Sequence, residues 1–142
     1  MLSLGVAVLL VRWRAWRGRG RAAGQEPSAA LDKGFIVALD IQVGMGLLLY
    51  LVLSPLPRLA LQDIGAAMSD GVTRFYSVEH AFGMSVALIA AHVGYARLRS
   101  SSPPGEHYGS ALLGQAVWLF VTLGSIPWPG LPYGRPLLRL FF

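Results

Sequence analysis

Apolar residues gather into four runs along this chain, and each run ends in basic or turn-forming residues. The first, "MLSLGVAVLLV", starts at Met1 and stops at Arg12. The second, "GFIVALDIQVGMGLLLYLVLSPLP", runs from Gly34 to Pro57. The third is "RFYSVEHAFGMSVALIAAHVGYARLR", from Arg74 to Arg99, and the fourth is "GSALLGQAVWLFVTLGSIPWP", from Gly109 to Pro129. A helix needs roughly 20 residues to cross the hydrocarbon of a bilayer. The last three runs meet that length and the first falls short. It lacks the basic start and small-residue cleavage site of a signal peptide, so it reads as a short or partly interfacial helix, with further residues expected upstream. The pattern predicts an all-α fold, a transmembrane four-helix bundle forming one domain. Its helices lie at about 1–14, 34–57, 75–98 and 109–128, with an Arg-rich loop over 12–33 and a Pro-rich tail over 127–142.

Composition agrees with that reading. Apolar types make up 54% of the 142 residues and charged types 13%, against about 25% charged in an ordinary soluble domain. With no cysteine in the chain, disulfides and thiolate metal sites are excluded. The net charge of +5 does not point to nucleic acid, because the cations flank apolar runs rather than exposed aromatics. The expected location is a bacterial inner (cytoplasmic) membrane, crossed several times.

Basic residues also orient the bundle. Arg12, Arg14, Arg17, Arg19, Arg21 and Lys33 fall in one loop, and Arg97 and Arg99 follow the third run. The positive-inside rule makes both loops cytoplasmic and both termini external. Trp13, Trp16, Tyr50, Tyr76, Tyr95, Trp128 and Tyr133 lie near run ends, where amphipathic rings prefer the headgroup layer. Arg14, Arg17, Arg19 and Arg21 could also meet anionic lipid.

Polar residues inside the runs are then the candidates for chemistry. Asp40 lies about 9 Å inside the cytoplasmic start of the second helix, counted at 1.5 Å per residue. His92 on the third helix and Gln115 on the fourth reach a similar depth, so the three predict a buried polar layer. Glu79 and His80 form a second polar pair near the outer face. Ionisable groups at such depths cost about 2.5–3.5 kcal/mol each on insertion scales and usually face another helix. One reading is structural: Asp40 pairs with His92, Gln115 completes the layer, and Glu79 pairs with Arg74. Gly83, Ala87 and Ala91, with Ala90 and Gly94, supply a small-residue stripe for close packing. The other reading is haem b, with His80 and His92 as candidate axial ligands. The two cannot share one iron, being about 18 Å apart along one helix axis. His107 lies in a polar loop, and Met45, Met68 and Met84 are the remaining soft donors.

The stretches "RFYSVEHAFGMSVALIAAHVGYAR", "LDIQVGMGLLLYLVLSP" and "SIPWPGLPYGRPLLR" resemble a family of small four-helix bacterial membrane proteins labelled cytochrome b-like. The resemblance runs from about Leu4 to Arg139, and "VEHxxxM" and "IPWP" are its most specific marks. It implies a histidine before the "IQ" of the second helix, where this chain has Asp40, and another near the start of the first helix, upstream of Met1. His80 matches a family histidine, and His92 matches a position that is histidine in some members. A carboxylate does not replace imidazole as a strong-field haem ligand.

No nucleophile–base arrangement, phosphate loop or dinucleotide fingerprint is present, so no enzyme and no metal site is expected. The expected function is an accessory subunit of a membrane energy-transducing complex, of the respiratory or photosynthetic electron-transfer type, with no cofactor of its own. A haem b electron carrier is the first alternative and a small proton-conducting or transport module the second. The charge pattern makes a direct prediction: reporter fusions after Arg21 and Ser102 should behave as cytoplasmic, and those after Asp70 and Phe142 as external. A cytoplasmic C-terminus would remove the first helix from the membrane.

Overall fold

The computed structural model describes residues 2–18, 29–100 and 108–136 and is all-helical, with no strand among them. Helix α1 spans Leu2–Arg17 and α2 spans Ala29–Leu48, continuing as a π-helical turn over Leu49–Leu53. Three short helices follow: α3 (Leu56–Gln62), α4 (Ile64–Ser69) and α5 (Gly71–Arg74). A second π-helical turn over Phe75–Glu79 leads into α6 (His80–Arg99), and α7 covers Tyr108–Gly124. The four long helices form a ring in which α1 packs on α2 and α7, and α6 packs on α2 and α7. Arg19 and Arg21 of the expected lipid-facing cluster, and His107, lie outside the described residues.

Two helical stretches, Ala30–Leu53 and Gly71–Arg99, are long and apolar enough to cross a membrane. The fourth run was expected to reach that length as well, but its helical part, Gly109–Gly124, is shorter. The reason lies in Pro127 and Pro129. Neither has an N–H to continue the i to i−4 ladder, so the helix stops at Gly124. The short helices are set by local capping. Asp63 accepts a hydrogen bond from Ala66 N at 2.9 Å, and Asp70 accepts from Thr73 N at 2.8 Å and from the Thr73 hydroxyl at 2.6 Å. The Thr73 hydrogen bonds also hold the Asp70 carboxyl below its ordinary pKa.

Small residues govern how the long helices meet. A Cβ at Gly114 would collide with the Ala90 carbonyl and Gly94, and Gly94 itself lies against Ala111. Ala87 and Ala91 are buried in the same seam, so the stripe read from the third run is the face on which α7 lies. On α1, Gly5 leaves room for the Trp118 ring, which would overlap any Cβ there. Phe35 meets Trp118 edge-on, with ring centroids 4.8 Å apart, and Val8, Ile36 and Leu39 complete the core. Beyond Leu39, no residue of α2 through Leu53 is buried, and Leu48 and Val52 stand exposed away from the cavity.

One charge network was not expected. Arg12 was read as part of a solvated loop, but α1 continues through it to Arg17 and leaves it only 1% exposed. Its Nε and Nη2 donate to Asp32 Oδ1 at 3.1 and 2.9 Å, and its Nη1 donates to the Ala111 carbonyl at 3.2 Å and to Gln115 Oε1 at 3.4 Å. Asp32 is 4% exposed. Removing one member of a buried ion pair typically costs about 3–5 kcal/mol, because the other charge is left unmatched. Arg12→Leu should therefore lower the thermal unfolding midpoint sharply. Arg12→Leu with Asp32→Leu should recover most of the loss. A double variant as unstable as the single one would mean that shape rather than charge fixes this junction.

Candidate functional site

The expected inner layer of Asp40, His92 and Gln115 is separated by the fold. Asp40 and His92 do meet across α2 and α6, with Nε2 to Oδ1 at 3.3 Å. They do so on the flank of the bundle, their side chains 51% and 42% exposed, rather than in its interior. Gln115 is fully buried elsewhere. It donates from Nε2 to the Gly5 carbonyl at 3.1 Å and accepts from Arg12. Equal depth along antiparallel helices did not mean equal rotation about their axes, and residue 115 faces α1. His92 Nδ1 also lies 3.1 Å from the Leu88 carbonyl. That carbonyl can only accept, so a hydrogen bond there is donated by the ring.

The outer pair, Glu79 and His80, also diverges. Glu79 turns outward and accepts from Arg74 Nε at 2.7 Å, a partly exposed ion pair. His80 turns inward, with Nδ1 at 2.8 Å from the Ser125 carbonyl. A carbonyl oxygen only accepts, so Nδ1 is the protonated nitrogen and Nε2 holds the lone pair. The chain exit from α7 makes this possible. Had α7 continued, the amide partners of the Leu123 and Ser125 carbonyls would have been Pro127 and Pro129, which have none. The Trp128 indole N–H serves Leu123 at 2.8 Å, and His80 serves Ser125. The "IPWP" motif thus positions a histidine on another helix.

His80 lies on the wall of a half-open cavity of about 760 Å³ bordered by α2, α6, the end of α7 and Leu2 of α1. Among the described residues its lining contains no Asp, Glu, Lys or Arg. Leu39, Val43, Met84, Trp118 and Ile126 make apolar walls, and Gln42, Tyr50, Ser85 and Thr122 interrupt them. The Tyr50 hydroxyl donates to the Ser77 carbonyl at 2.6 Å and the Ser85 hydroxyl to the Ala81 carbonyl at 2.8 Å, so both hydrogens are engaged. Among the described residues the Trp118 indole N–H and the Thr122 hydroxyl are buried without a partner.

The outer rim of this region is braced by the tail. Tyr133 stacks on Phe75 with centroids 3.8 Å apart, and the Tyr76 hydroxyl donates to the Tyr133 carbonyl at 3.0 Å. Arg135 Nε in turn donates to the Tyr76 hydroxyl at 3.1 Å. Phe75 lies 5.9 Å from the His80 ring, so tail, π-helical turn and histidine form one packed unit. Sequence reasoning had singled out His80 but not Gln42, Thr122 or Ser125. Only the paired prolines could have flagged Ser125. Of the expected lipid-facing arginines, Arg17 lies over the Trp13 ring at 4.4 Å.

No known family model, curated protein or solved structure matches this chain.

The Asp40–His92 contact generates its own prediction. His92→Leu leaves Asp40 without its partner on an apolar flank, and the yield of folded protein should fall. Asp40→Leu combined with His92→Leu should restore much of it, by roughly the 2.5–3.5 kcal/mol that a lone carboxylate costs among apolar surroundings. Recovery of monodisperse protein after detergent extraction measures both.

Proposed function

We propose that this chain is an integral membrane protein, a four-helix transmembrane bundle that serves as an accessory subunit of a membrane electron-transfer complex and receives a neutral lipophilic molecule in its cavity. One observation carries the reading. His80 Nδ1 is turned to the Ser125 carbonyl, which leaves Nε2 for a ligand in an apolar cavity with no charged side chain among its described residues. Pockets of this size, mostly apolar with a few convergent polar groups, are the usual form of small-molecule sites. The membrane part of the proposal is supported by the two long apolar stretches and by the exposed apolar side of α2, which lipid or another subunit would cover. Arg12, Arg14, Arg17 and Arg99 gather at the end of the bundle that the positive-inside rule assigns to the cytoplasm.

Haem b is a second reading, favoured by the same histidine. A ligating imidazole generally donates its other N–H to a carbonyl or carboxylate, and His80 does so. The remaining requirements fit less well. His92 is engaged with Asp40 on the flank, so it is not a second axial nitrogen at the cavity, and Met84 follows His80 by one turn of the same helix. Among the described residues the lining also offers no arginine or lysine to the two propionates.

Native mass spectrometry of the extracted protein should reveal a non-covalent adduct. Gly46→Phe, which projects a ring from a cavity-lining position with open space around it, should remove the adduct without unfolding the bundle. An adduct that persists in that variant would locate the ligand elsewhere. A reduced-minus-oxidised band of b type, lost in His80→Leu, would replace the primary reading with haem.

A further inference from the structure

The lining narrows the chemistry of the cavity's occupant. With no charged side chain among the described residues of the walls, a carboxylate, phosphate or ammonium ligand would meet no counter-charge from them, a large desolvation cost. Among the described residues, two polar groups along the lining have no protein partner for one of their atoms, one on α6 and one on an exposed position of α2. On α6, His80 Nε2 presents a lone pair and requires a donor. On α2, the Gln42 side chain lines the cavity and makes no hydrogen bond among the described residues, so its amide can donate to an oxygen or accept from a hydroxyl. Between them the walls are apolar, formed by Leu39, Met84 and Trp118. An occupant that meets both groups has two polar atoms separated by an apolar part.

Its apolar remainder has a route out. Ile41, Met45 and Leu49 line the cavity and are also more than half exposed, so the cavity opens along the side of α2. In a bilayer that opening faces the acyl chains, and a long hydrocarbon tail could leave by it without crossing a polar surface. A rigid head also loses less conformational freedom on binding than a flexible one with the same two oxygens.

Resting on the cavity reading above, we infer that the site binds the head of a lipophilic p-quinol. One ring hydroxyl donates to His80 Nε2, and the opposite oxygen is held by the Gln42 amide. The oxidised quinone has no hydroxyl to donate, so Nε2 faces its carbonyl lone pairs and the site discriminates in favour of the reduced form. Thr122 adjoins the same space with a hydroxyl that lacks a partner, and a rotation about its χ1 would supply one more donor to a bound oxygen.

Ligands differing in one feature test this on the full chain in lipid nanodiscs. Decyl-p-benzoquinol should bind saturably at one site per chain, and its dimethyl ether, of similar shape but without hydroxyls, should bind roughly tenfold more weakly. The corresponding quinone should also bind more weakly. His80→Leu and Gln42→Leu should each weaken quinol binding roughly tenfold, with His80→Gln, which retains an acceptor, intermediate. Equal binding of quinol and its dimethyl ether overturns the inference and needs no variant to fold. Unchanged affinity in folded Gln42→Leu or His80→Leu overturns it as well. If decylbenzene binds as tightly as the quinol, the cavity takes lipophilic molecules without reading their oxygens. If neither saturates, the cavity reading fails too.

Discussion

A guanidinium with no water to turn to sets how three helices meet. Arg12 holds Asp32 of α2, the Ala111 carbonyl and Gln115 of α7 at once, and Gln115 reaches back to the Gly5 carbonyl of α1. A buried charge is tolerable only when its donors are matched. Sliding α1 by one residue against α7 would rotate Arg12 out of reach of its partners, so the network fixes register as well as proximity. The same register lays the Trp118 ring over Gly5 and brings Phe35 edge-on to that ring. Core packing at this end follows from a polar constraint.

At the other end the constraint is absent and the helices part. The buried residues of α2 stop at Leu39, and from there to Leu53 the helix borders the cavity, touching its neighbours at Asp40, Val43 and Tyr50. The two π-helical turns, Leu49–Leu53 and Phe75–Glu79, flank the opening and are joined by the Tyr50 hydroxyl on the Ser77 carbonyl. Wide turns of this kind are often found at functional sites, because the inserted residue redirects the side chains that follow it. Here the residue that follows is His80. Its orientation is then held by the stacked Phe75–Tyr133 pair and, just beyond α7, by the Ser125 carbonyl, which Pro129 leaves without an amide.

Much of this frame was legible in the chain. Runs of apolar residues gave the four long helices, because nothing else satisfies so many backbone groups along so apolar a stretch. Counting residues from the helix ends matched Asp40 with His92, and small residues at helical spacing marked the α6–α7 seam. The same counting misassigned Gln115, because rise per residue fixes depth but not the azimuth at which a side chain leaves the axis. Arg12 was missed for a related reason. A cation at the end of an apolar run looks solvated until the helix is seen to continue, and Asp32, its partner, stood outside the expected start of the second helix. The short helices α3, α4 and α5 were hidden in a stretch whose Asp caps and glycines read equally well as loop. Glu79 with Arg74 was local enough to be read, whereas the inward turn of His80 depended on a carbonyl just beyond α7, more than forty positions away in sequence.

The contrast between the two ends has an energetic consequence. A filled, hydrogen-bonded inner end resists separation of the helices, whereas an apolar space of about 760 Å³ at the outer end forfeits the dispersion contacts its walls could make. Leaving such a space empty is costly, and filling it with water would bring few hydrogen bonds, since its walls offer only a handful of polar atoms. Lipid tails can enter along the open side of α2, but a flexible tail cannot satisfy Gln42 or His80 Nε2. A molecule that fills the space and meets both groups gains packing and hydrogen bonds together, and binding it stabilises the folded bundle by mass action. The inner network therefore acts as the fixed frame. It holds α1, α2 and α7 in register, so the polar atoms of the cavity at the far end are presented from a fixed frame.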